Sequence, residues 1–227
     1  MTAEISDLTH LRRGALRLAG GMSVCTYLFP ALLKEHQRRY PNIELTIATG
    51  TNDEILHLLR TSQVDVALLS LPFNETDLEV HPALTEEMVL VMERNHQLAK
   101  QEKVTFKDLT SYPFIHFERG ANTRKLLDQI FSEKGVRFRN SMELPNVEIT
   151  KPLVEIGLGI SIISFPAVAK DIEKRTLCYR RIGGRKIYRE LGWVFLKSDY
   201  SSRTLKQLLG LLEEVQDQLA PSNPDDA

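Results

Sequence analysis

Cysteine is nearly absent. The 227 residues include two, Cys25 and Cys178, in no paired motif. That argues against a disulfide framework and fits a reducing compartment. Excess charge of one sign is also missing. Lys and Arg number 29 against 30 Asp and Glu, a net charge of −1. A self-sufficient DNA-binding domain would show a basic excess, so nucleic-acid binding by this segment alone is disfavoured. No apolar run approaches the roughly 20 residues of a membrane span. Residues 1–11, with Glu4, Asp7 and His10, lack the basic-then-apolar order of a signal peptide. The expected location is the cytoplasm. Catalytic signatures are missing too. The histidines (His10, His36, His57, His81, His96, His116) form no H-x-x-x-H spacing, Gly20-Gly21 opens no phosphate loop, and Ser23 is in no G-x-S-x-G elbow. Cys25 reads as a small packed residue. No catalytic residue, metal or cofactor is expected.

What is present is one pattern, twice. A short apolar strand runs into a polar turn, the turn opens a helix, and a second strand and a second polar-capped helix follow. The copies span 16–70 and 114–164. Hydrophobic content of 42% and charged content of 26% suit a globular chain with real cores. The expected fold class is α/β, with two Rossmann-like lobes. In the first, the pattern predicts strands at 16–18, 45–48 and 64–69 and helices at 24–40 and from Thr51. Thr51-x-x-Glu54 is a capping box. In the second it predicts strands at 114–117, 141–144 and 160–163 and helices at 123–134 and 147–156. Gly135 is a C-terminal stop, and Ser164 is read as capping a further helix with Pro166 in its first turn.

Strands at 88–92 and 193–196 read as two crossings, a two-strand hinge. The lobes are then 14–90 with 194–219, and 91–193. Residues 1–13 read as the end of a linker helix or a tail, 203–219 as a final amphipathic helix and 220–227 as a disordered tail. The basic stretch 174–189, with Tyr179 and Tyr188 interleaved, reads as a solvated hairpin.

Ligands of open α/β sheets bind beyond the carboxyl ends of the strands, where helix N-termini favour polar and anionic groups. That rule selects Ser23, Thr51 and Ser70 in the first lobe. In the second it selects the loop 116–123, then Glu148, Ile149 and Thr150, and Ser164. Ser23, Thr51 and Ser164 have a second reading, as helix caps only. Arg119, Arg124 and Lys151 read as solvated surface charges that could add a cation for a carboxylate or phosphate. His116 reads as a buried, satisfied histidine.

At these residues the chain resembles the effector-binding domain of LysR-type transcriptional regulators. The stretches that carry the likeness begin with Gly14-Ala-Leu-Arg-Leu, Leu28-Phe-Pro-Ala-Leu-Leu, Arg39-Tyr-Pro-Asn-Ile-Glu-Leu and Asp65-Val-Ala-Leu. They continue with Met88-Val-Leu-Val-Met, Asn95-His-Gln-Leu-Ala and Val154-Glu-Ile-Gly-Leu-Gly-Ile-Ser. The resemblance implies a type 2 periplasmic-binding-protein-like fold and a small-molecule effector, with an anionic metabolite favoured. With the strand-end rule it gives an effector-contacting set of Met22, Ser23, Val24, Gly50, Thr51, Ser70, Phe117, Arg119, Asn122, Thr123, Ile149, Thr150 and Ser164. It further implies a homodimer or homotetramer, with DNA contact made only by a winged helix-turn-helix that this sequence lacks. A stand-alone solute-binding protein of the same fold is the alternative.

Overall fold

The structure, a computed structural model of the chain, describes residues 14–72, 75–197 and 210. The chain divides into two compact units. Among the described residues, one comprises residues 14–84, 190–197 and 210, the other Thr85–Arg189.

The first unit opens with β1 (Gly14–Gly20), whose Leu16 and Leu18 point inward and are fully buried. The next helix starts earlier than the expected Val24. Residues 22 and 23 are already helical, and a π-helical turn occupies Val24–Leu28 before α1 (Phe29–Arg39). The reason is visible in the first bond: Cys25 N–H donates to Gly21 O at 3.0 Å, so the helix begins on the glycine pair itself. Phe29, Leu32 and His36 form the inward stripe of α1, and Pro41 lies just past its C-cap, Tyr40. Strand β2 (Ile43–Thr49) follows, then α2 (Asn52–Arg60), then β3 (Val66–Ser70). The run Val66–Leu69 is buried throughout, as a parallel strand covered on both faces must be. One face packs Leu16, Leu18, Leu28, Phe29 and Leu32 against Trp193, with the Phe29 and Trp193 rings stacked at 6.3 Å. The other packs Ile55, Leu56 and Leu59 of α2 against Ala67 and Leu69.

The crossing strand is longer than expected. β4 runs from Leu78 to Glu93, so it starts ten residues before Met88. Its first half mixes Leu78, Val80, Ala83 and Leu84 with Glu79, His81, Pro82, Thr85, Glu86 and Glu87, so it has no continuous apolar run. In the second unit come the short α3 (Phe106–Leu109), β5 (Phe114–Phe117), α4 (Asn122–Glu133), β6 (Ser141–Leu144) and α5 (Val147–Glu155). Then come β7 (Ser161–Ser164), α6 (Phe165–Glu173) and β8 (Leu177–Arg180). Gly135 stops α4 at φ +65°, a left-handed conformation that glycine adopts without strain. The core gathers Met88, Leu90, Met92, Phe114, Leu127, Phe131, Ile160 and Ile162. The return strand β9 is Ile187–Leu196, so it starts before the expected Trp193 and takes in Ile187 and Tyr188.

In the first unit β1 pairs in parallel with β2 and β3, and β3 pairs antiparallel with β9. In the second, β5 pairs in parallel with β6, and β4 pairs antiparallel with β7 and β8. β9 and β4 are hydrogen-bonded neighbours. The changeover at 84/85 and 189/190 lies a few residues before the expected 90/91 and 193/194. Glu87 takes its partner from Arg181 and Glu86 from Arg189, both of the second unit. The expected helix at 203–219, the segment 1–13 and the tail 220–227 lie outside the described residues, except that Gly210 is helical.

Candidate functional site

Parallel register brings the carboxyl ends of the strands together in each unit. In the first, Gly20 pairs with Thr49 and with Leu68. The residues that follow, Met22 and Ser23, Gly50 and Thr51, and Ser70, therefore lie along one sheet edge. In the second, Phe117 pairs with Leu144, and an isolated parallel bridge joins Phe114 to Ile160. That aligns the end of β5, with Asn122 and Thr123, the start of α5, with Ile149 and Thr150, and Ser164 at the end of β7.

Side chains within these sets differ in what they offer. Met22 is exposed and Ser23 half-buried. Ser23 has helical backbone angles (φ −63°, ψ −38°) and gives no side-chain cap, which removes the cap-only reading for it. Val24 is buried in the core, and a Cβ on Gly20 would lie 2.8 Å from its Cγ1. Thr51 does cap α2, as its spacing predicts. Its N–H donates to Glu54 Oε2 at 2.8 Å, its hydroxyl donates to the same oxygen at 3.0 Å, and that hydroxyl accepts from Glu54 N–H at 3.4 Å. The bond from Thr51 N–H, then that from the hydroxyl, holds the Glu54 carboxyl below its ordinary pKa. Gly50 makes room for this carboxylate, since a Cβ there would meet it at 2.9 Å.

In the second unit Phe117 and Asn122 are half-buried, whereas Thr123 is 7% exposed and its hydroxyl accepts from Arg189 Nη1 at 2.7 Å. Thr150 is fully buried and donates back to Asn146 O at 2.9 Å, while Ile149 beside it is exposed. Asn146 caps α5 through its side chain, accepting from Ile149 N–H at 3.1 Å, a role that Asn before an apolar run could have revealed. Ser164 precedes α6 with extended angles but makes no side-chain cap, against expectation. It is 4% exposed and belongs to β7, so its place is decided by the strand.

Two of the three cations read as solvated are not. Arg124 is held by Asp128 at 2.8 Å, by Phe117 O at 2.8 Å and by Glu143 at 3.3 Å. Lys151 donates to Asp171 at 3.0 Å and to Ala167 O at 3.2 Å. Each spans neighbouring elements, which fixes them against the fold. Arg119 alone of the three is solvated, with its side chain 86% exposed and Glu143 at 3.8 Å. The basic stretch 174–189 is likewise not a plain solvated hairpin. Arg189 is buried with Glu86, and Arg181 grips Glu87 at 2.6 and 3.0 Å. Sequence reasoning missed Glu86 and Glu87. Their signal was two consecutive carboxylates running directly into Met88-Val-Leu-Val-Met, where buried charge requires a partner.

His116 is buried, as expected, but not satisfied. Its Nδ1 has no hydrogen-bond partner, and its ring sits 4.6 Å from Phe114 and 5.3 Å from Phe138. Burial pushes its pKa down to about 4, with Arg124 adding to the fall and Asp128 and Glu143 opposing it. Burial raises both thiols, Cys25 and Cys178, which keeps them protonated and unreactive near neutrality. Among the described residues no cluster of three or more His, Cys, Asp or Glu could hold a metal ion, and no helix is long and apolar enough to cross a membrane.

The family model described as the LysR substrate binding domain matches residues 9–217. The chain belongs to that family. This LysR domain is 28% identical over 220 residues to the HTH-type transcriptional regulator CysL of Bacillus subtilis, covering 90% of this chain and 74% of that protein. It is 30% identical over 208 residues to the HTH-type transcriptional activator CmpR of Synechocystis, covering 92% and 68%. Among solved structures, the Synechocystis CcmR regulatory domain in complex with 2-PG superposes with a TM-score of 0.84 at 27% identity, covering 92% of this chain and all of that one. The effector binding domain of QuiR in complex with shikimate gives a TM-score of 0.81 at 22% identity with coverage of 92% and 100%, a likeness of fold. The fold of this LysR domain is the type 2 periplasmic-binding-protein-like one. Its function is that of the effector-binding domain of a LysR-type regulator rather than a stand-alone solute binder. The curated relatives named here are transcriptional regulators, not enzymes.

Proposed function

We propose that this LysR domain senses a small anionic metabolite with the strand-end residues of its two units. The contacting set is Met22, Ser23, Val24, Gly50, Thr51 and Ser70 from the first, and Phe117, Arg119, Asn122, Thr123, Ile149, Thr150 and Ser164 from the second. The observation that carries the reading is a difference among helix starts. α2 and α5 are capped by their own side chains, whereas α4 and α6 begin with none. A helix start without a side-chain acceptor suits an anion. The solvated Arg119 beside α4 adds a positive charge. Not all members contribute alike. Ser23 and Asn122 offer polar groups, Val24 and Thr150 shape the wall from behind, and Thr51 contributes by fixing α2. The 2-PG complex of the CcmR domain supports an anionic ligand for a relative at 27% identity.

The same reading places the domain in the cytoplasm, as a homodimer or homotetramer. Effector occupancy changes how protomers pack, and DNA contact belongs to a winged helix-turn-helix outside this sequence. The test is calorimetric titration of the chain with 2-PG and, separately, inorganic sulfate, alongside native mass spectrometry of the protein as purified. A bound anion at 100 times its dissociation constant stabilises the fold by about 2.7 kcal/mol, visible as a raised melting midpoint. Ser23→Ala with Thr51→Ala weakens that binding while the fold persists. Retention of full anion affinity in the double variant refutes the site, and an absence of any bound anion refutes the ligand class.

A further inference from the structure

β4 carries two buried carboxylates in succession, Glu86 at 2% and Glu87 at 8% exposure. Consecutive strand residues leave opposite faces, so the strand is gripped by an arginine on each side. Glu87 is held by Arg181, and Glu86 by Arg189 Nε at 2.9 Å and by its Nη2. Arg189 is itself 6% exposed, and its remaining terminal nitrogen, Nη1, donates to Thr123 Oγ1 at 2.7 Å. Thr123 is the second residue of α4. Glu86 stands next to the place where β4 leaves the first unit, and Arg189 is the last residue of the second before β9 returns. One buried side chain thus joins the start of α4 to both strands that pass from unit to unit. Stability alone does not explain it, because a buried ion pair is about as stable as a well-packed apolar replacement.

We propose that Arg189 is a positioning residue that links the first turn of α4 to the connecting strands, so that a change at the α4 start is felt at Glu86 on β4 and along β9. It rests on the effector reading only for what perturbs α4 in the regulator; the link itself is testable without any ligand. The experiment is amide hydrogen exchange of the full ligand-free chain, comparing wild type with Thr123→Val, Thr123→Ser and Arg189→Lys. Valine keeps the shape of threonine but removes the acceptor.

In Thr123→Val the amides of 125–128, 85–89 and 188–191 exchange together, each about tenfold faster, while those of β1 and β2 keep their wild-type rates. Arg189→Lys gives the same pattern, since an ammonium replaces the fork that reaches both Glu86 and Thr123. Thr123→Ser restores the hydroxyl and the wild-type rates at all three segments. Faster exchange confined to 125–128, no change anywhere, or an even acceleration over the whole chain each overturns the proposal. Failure of anion binding in the titration above leaves this result untouched.

Discussion

His116 supplies the sharpest stability prediction. Its ring lies among Phe114, Phe131 and Phe138 with Nδ1 unpartnered, and its pKa is lowered to about 4. In the unfolded chain an imidazole titrates near 6.5. The folded state therefore favours the neutral ring, and its contribution is complete above the unfolded value. It is lost as pH falls from about 6.5 through about 4. The full gap corresponds to roughly 3 kcal/mol. At pH 5, where the unfolded ring is almost wholly charged and the folded ring still mostly neutral, about 2 kcal/mol of it is gone. Three charged groups face this ring, Arg124, which lowers its pKa, and Asp128 and Glu143, which oppose that fall.

The assay is urea unfolding followed by far-ultraviolet circular dichroism at pH 7 and pH 5, for wild type and His116→Leu. Other carboxylates and histidines titrate in both proteins and cancel in the difference. Wild type is expected to lose about 2 kcal/mol more than the leucine variant between the two pH values. At pH 7 the variant matches or exceeds wild type, because an orphaned buried nitrogen has been removed. Equal pH dependence in the two proteins, or a His116 ring that titrates near 6.5 by NMR, refutes the reasoning.

The helix caps separate two serine-or-threonine positions that look alike in sequence. Thr51→Ala is expected to cost about 1 kcal/mol, whereas Ser164→Ala, with no capping bond to lose, costs less; thermal melts of the two variants decide it. Glu86→Leu and Arg189→Met each strand a buried charge and should cost about 3–5 kcal/mol. The double variant costs less than their sum in urea unfolding, and strict additivity would speak against a buried pair. A Cβ on Gly159 would lie 2.8 Å from the carbonyl oxygen of Pro113. Gly159→Ala is therefore expected to destabilise by about 1–3 kcal/mol, read as a lowered midpoint with unchanged fold by circular dichroism.

Much of the architecture was legible because local signals agreed with one another. Leu16 and Leu18, the Thr51–Glu54 box, the apolar run at Val66–Leu69 and Gly135 each satisfy a short-range rule that tertiary packing did not override. What escaped was set over long range. The first half of β4 does not stand out as a strand because Glu86 and Glu87 find their partners, Arg189 and Arg181, about a hundred positions away. Ser164 looks like a cap because serine before a helical proline usually is one, yet β7 decides its place. Arg124 looks like a surface charge until β5 and β6 are positioned beside it, and Lys151 until α6 is. At the strand ends the likeness to LysR effector-binding domains and the strand-end rule chose nearly the same residues. Neither could tell a side chain that faces outward, such as Ile149, from one folded back on its own helix, such as Thr150.

The stacked Phe29–Trp193 pair has a spectroscopic consequence. Trp193 is the single tryptophan of the chain, and it belongs to the first unit's core. Indole emission is thus a private channel for that unit. It would report the melting of β1, α1 and β9 and remain blind to an early loss of the Phe114–Phe131–Phe138 core. Overlaying an emission curve on a dichroism curve turns this asymmetry into a test of cooperativity. Coincident curves mean that the two units unfold as one, and separated curves give the order in which they go.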